Sequence, residues 1–152
     1  MHIGNYINMV HKSQQDMAKA YMKVAQHHQA EPDIPATCEL MMKWCNRLVE
    51  KIKPFGEKYG EEKNREPDKL LSDLFKGTRK GSMGLLRDLH DLWLMANEAE
   101  VSSIVLQQAA FGLRDKELIG VCDEINAYAK RQLTWLLTRM KSMATQTLIV
   151  AK

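Results

Sequence analysis

The sequence predicts an all-α fold. Apolar residues recur at alternating spacings of three and four along four long stretches, strand-like alternation is missing, and 152 residues hold only 8 Gly and 4 Pro. Helices are expected over about residues 3–30, 34–59, 67–75, 83–111 and 115–145, in a single domain spanning 1–152.

The first stripe is Ile3, Ile7, Val10, Gln14, Met17, Tyr21, Val24 and His28, ended by the Glu31-Pro32-Asp33-Ile34-Pro35 segment. A residue before proline is pushed out of the α region, so the chain must turn there. Asp33 is the expected N-cap of the second helix, with Pro35 in its first turn. That helix carries Cys38, Met41, Met42, Cys45, Leu48, Val49, Ile52, Phe55 and Tyr59 inward, is expected to kink at Pro54, and stops at Gly60. Residues 61–66 read as a solvated charged stretch. Pro67 then opens a short helix with Leu70, Leu71, Leu74 and Phe75, followed by a basic loop from Gly77 to Gly81. Ser82 is the expected cap of the third long helix, which presents Leu85, Leu86, Leu89, Leu92, Trp93, Ala96, Glu100, Ser103, Leu106 and Ala110 and ends at Gly112. Asp115 caps the fourth, whose stripe runs through Leu118, Cys122, Ile125, Ala129, Gln132, Leu133, Leu136, Met140 and Met143. The β-branched tail 147–150 carries the one strand-like signal.

Composition excludes several classes. At 45% hydrophobic and 27% charged, with net charge +3, the chain fits one globular domain with a sizeable core. No apolar run approaches the ~18 residues of a membrane span. No basic segment followed by an apolar one marks a secretory signal, so a cytoplasmic location with reduced thiols is expected. The three cysteines, Cys38, Cys45 and Cys122, form neither a C-x-x-C pair nor a zinc set, and are read as buried hydrophobes. The basic residues after Glu124 alternate with Leu, Trp and Met at helical spacing rather than gathering on one exposed face. A nucleic-acid partner is not expected.

Loop lengths set the topology. Short turns near 31–34 and 112–115 make two antiparallel hairpins. The 21 or so residues between them are too many for a turn, because helix connections usually run ~2–8 residues. They can travel the length of the bundle, with the short helix lying on its side and the second and third long helices parallel. Two hairpins joined by one long crossover resemble the ferritin-like four-helix bundle over about residues 3–145. That resemblance implies a Glu on each of two helices and Glu-x-x-His on each of the other two, converging on two metal ions. This chain has no Glu-x-x-His; Lys43-Trp44-Cys45-Asn46 occupies the centre of the second helix, and Ala127 stands three residues beyond Glu124. Di-iron chemistry is therefore not expected.

Two constellations remain. Under the crossover topology His28, Glu39 and His90 reach one end of the bundle, where imidazoles and a carboxylate could bind a divalent transition metal. In mid-bundle, Gln14, Tyr21, Glu100 and Tyr128 form an expected buried polar layer that fixes helix register. The function these features point to is binding or self-assembly, with Trp44, Leu94, Val101 and Val105 as apolar residues left over for a dimer face. The alternative is a metal-binding protein using the His/Glu cluster.

Overall fold

The computed structural model describes residues 2–60, 75 and 77–151. Four helices run in order: α1 (Ile3–His27), α2 (Asp33–Tyr59), α3 (Gly81–Leu113) and α4 (Lys116–Thr145). Among the described residues there is no strand, and the β-branched tail Gln146–Val150 continues α4 as a π-helical turn. The short helix expected over 67–75 lies outside the described residues except for Phe75, which packs against the core.

α1 pairs with α2 and α3 with α4, while α1 also packs on α3 and α2 on α4, giving a four-cornered bundle. Ion pairs fix which ends meet. Arg139 near the end of α4 pairs with Asp33 at the start of α2 (2.7 Å), and His28, just past α1, meets Asp88 near the start of α3 (2.7 Å). At the opposite pole Lys58 of α2 pairs with Asp115, which precedes α4 (2.9 Å). The end of α2 and the start of α3 thus lie at opposite poles, and the two helices run parallel.

Helix ends depart from expectation in four places, each for a local reason. α1 stops at His27 rather than near residue 30, because His28 leaves the helical region (φ −121°) as its ring turns inward to Asp88. Pro32, not Asp33, is the α2 N-cap, leaving the Asp33 carboxylate to Arg139. Lys80 in extended conformation, not Ser82, precedes α3. Gly112 stays helical, and Arg114 takes the left-handed turn instead (φ 56°). Asp115 does cap α4, accepting from the Leu118 N–H at 3.1 Å. Gly60 closes α2 with φ +69°, a conformation that suits glycine.

The core divides into two apolar clusters. One holds Met17, Val24, Ile34, Leu89, Leu92 and Leu136 at the pole where α1 ends; the other holds Ile7, Leu48, Ile52, Leu106, Leu118 and Ile125 toward the opposite pole. Each fully buried Leu or Ile contributes roughly 1.5–3 kcal/mol. At the second pole α1 and the end of α2 touch backbone to backbone: a Cβ on Gly4 would overlap the carbonyl oxygen of Gly60. Neither backbone can yield as a side chain would. Gly4→Ala is therefore expected to cost about 1–3 kcal/mol in urea unfolding, and an unchanged midpoint would contradict this close contact.

Candidate functional site

The pole where α1 ends holds a buried carboxylate. Gly84 makes it possible: a Cβ there would come within 2.8 Å of the Arg79 carbonyl carbon, so only glycine lets the incoming segment lie against the first turn of α3. One turn on, Asp88 is fully buried. Its Oδ2 accepts from the Arg79 backbone N–H (3.0 Å) and stands 2.7 Å from His28 Nε2; its Oδ1 accepts from Arg79 Nη1 (2.9 Å). An ionised carboxylate only accepts, so His28 is the donor. Arg79 Nη1 also reaches Asp91 at 2.9 Å, and these acids, Asp91 first, push the guanidinium pKa up. Every oxygen of Asp88 is satisfied, as a buried charge requires. The cluster clasps the start of α3 to the end of α1.

The expected metal trio does not assemble. His28 is buried and engaged with Asp88, while Glu39 and His90 are exposed. Among the described residues no three His, Cys, Asp or Glu side chains are grouped to hold a metal ion. The helix explains the miss: His90 lies two residues from Asp88, about 200° round the helix, so it faces out when Asp88 faces in.

The mid-bundle polar layer exists with partly different members. Tyr21, fully buried, donates to Gln132 Oε1 at 2.9 Å, and Gln132 Nε2 in turn points at Cys45 Sγ, 3.9 Å away. Burial raises the Tyr21 phenol well above its usual range and pushes the Cys45 thiol up to about 12. Gln14 is buried as well, but its Oε1 has no hydrogen-bond partner among the described residues. Glu100 and Tyr128 do not join the layer. Glu100 is half-buried at the helix flank, and Tyr128 stacks on Trp44 (centroids 5.1 Å apart) with the Arg131 guanidinium over both rings. That stack removes Trp44 from the leftover apolar surface. Glu124, beside it, binds Lys51 at 2.6 Å and fixes the α2–α4 register.

The outer face of α3 stands apart from these satisfied groups. Leu94, Val101, Ile104, Val105 and Phe111 all remain exposed, Val101 and Val105 at 50% and Phe111 at 51%. Beside them Val105 and Ala109 of α3 and Tyr6 and Met9 of α1 line an open apolar cleft of about 220 Å³.

No family model, curated protein or solved structure matches the chain.

Two of the structural determinants were missed from sequence. Asp88 shares a face with Gly84, Leu85 and Leu92, and an acid on an apolar face is the signal that marks it. Ile104 and Phe111 extend the Leu94–Val101 stripe at helical spacing and were equally visible.

Proposed function

We propose that this protein is a ferritin-like helical bundle that acts by association rather than chemistry, pairing with a second copy in the cytoplasm through the outer face of α3. The ferritin-like reading is supported by the two hairpins and by α2 and α3 running parallel between opposite poles. Association is supported by one observation above the others: five large apolar side chains exposed along one helix face. Contiguous apolar surface of this kind marks interaction sites. The buried polar groups of the two clusters are almost all consumed in holding helices together, whereas this face carries apolar side chains that nothing described covers. It carries no charge along its centre, so a like uncharged face complements it better than a charged partner. Two-fold pairing of identical chains is the commonest assembly.

The test is Val101→Glu combined with Ile104→Glu. Both positions are exposed, so the fold and helical circular dichroism are expected to persist. Burying unpaired carboxylates costs several kcal/mol per ion. Light scattering is expected to show a dimeric mass falling to the 17.5 kDa monomer. An unchanged dimeric mass would remove the α3 face from the interface.

A further inference from the structure

The exposed residues of α3 follow a stricter pattern than amphipathicity requires. Leu94, Asn97, Val101, Ile104, Gln108 and Phe111 are all exposed, and they alternate by three and four residues, the spacing of a coiled-coil seam. The order apolar, amide, apolar, apolar, amide, apolar also reads the same from either end, mirrored midway between residues 102 and 103. A surface that is its own reverse complement fits a second copy laid against it head to tail.

We infer that two copies join along an antiparallel, two-fold symmetric α3–α3 seam, with Leu94 against the partner's Phe111, Asn97 against the partner's Gln108 and Val101 against the partner's Ile104. The inference rests on the pairing reading above and fixes its orientation. Charge selects this orientation over the parallel one. Glu98 and Glu100 flank the seam, both half-buried. Parallel pairing would put four carboxylates at one level and set Arg114 against the partner's Arg114. Antiparallel pairing moves Glu98 beside the partner's Val105 and Glu100 beside the partner's Gln107, and carries Arg114 to the partner's Trp93. Opposed helix dipoles favour the same choice. Size agrees: each outer layer pairs one Leu with one Phe, whereas parallel pairing would crowd two Phe into one layer and leave two Leu in another.

The experiment uses two full-length variants, Leu94→Cys and Phe111→Cys, oxidised separately and as an equimolar mixture. The native Cys38, Cys45 and Cys122 are buried, with thiols pushed up to about 12, so they do not compete. In the antiparallel seam two copies of residue 94 lie about 26 Å apart, beyond disulfide reach. The mixture is expected to form a disulfide-linked species at twice 17.5 kDa that neither variant forms alone. Self-linking of Leu94→Cys overturns the orientation while leaving pairing intact. Absence of linking from both this pair and the pair Asn97→Cys with Gln108→Cys, in samples that scatter as dimers, overturns the seam. Native chain that scatters as monomer overturns the pairing reading itself.

Discussion

Asp88→Ala is expected to lower stability by about 3–5 kcal/mol, the cost of removing one member of a buried ion pair and stranding the rest. Asp88 touches His28, the Arg79 backbone and the Arg79 guanidinium together, at 2.7–3.0 Å. Without it the imidazole just past α1 stays buried with no acceptor, the Arg79 backbone N–H loses its carboxylate, and the guanidinium is held by Asp91 alone. Asp88→Asn keeps an oxygen for Arg79 and is expected to cost less than Ala. Urea unfolding monitored by circular dichroism measures all three proteins, and a loss below ~0.5 kcal/mol for Asp88→Ala, the range of ordinary surface changes, would show that the clasp contributes little.

The second large effect is at the other pole and depends on pH. Asp115 accepts from the Tyr59 hydroxyl (2.6 Å), from Lys58 Nζ (2.9 Å) and from the Leu118 N–H (3.1 Å), tying the end of α2 to the start of α4. The Tyr59 hydrogen bond first, then Lys58, hold its carboxyl down to about 2 from the usual 3.8. A depressed carboxyl stabilises the fold fully above its unfolded value, and the benefit disappears as pH falls through the folded value. Loss of a cap costs ~1 kcal/mol and loss of a charge-assisted hydrogen bond ~1.5–3 kcal/mol. Lys58 is mostly exposed and adds little. Asp115→Ala is therefore expected to cost about 2–4 kcal/mol at pH 7, with the gap to the native chain narrowing between pH 4 and pH 2. A gap that holds constant down to pH 2 would contradict the assignment.

Particular residues show why the fold was more legible in sequence than the site. Helix periodicity reads directly from spacing, and Asp115 announces its cap by position. Layer membership depends on rotation about the helix axis, which small residues shift. Ala99 and Ser102, both buried, turn the inward arc of α3 away from Glu100, and Gln132 takes the place expected of that acid. The partners of Asp88, unlike its burial, were hidden for a different reason. They come from residues 28 and 79, and nothing local in the sequence ties an acid near the start of a helix to a histidine sixty residues earlier. The end of α3 illustrates a third limit, since Arg114 accepts a left-handed turn that glycine at 112 was expected to supply.

In the proposed pair the outer face of α3 is buried against a second copy of the chain. Sedimentation equilibrium of the unmodified protein across a wide concentration range tests it most directly. The prediction is a mass rising to twice 17.5 kDa and stopping there, as a closed two-fold pair requires. A single species of 17.5 kDa at every concentration would contradict it.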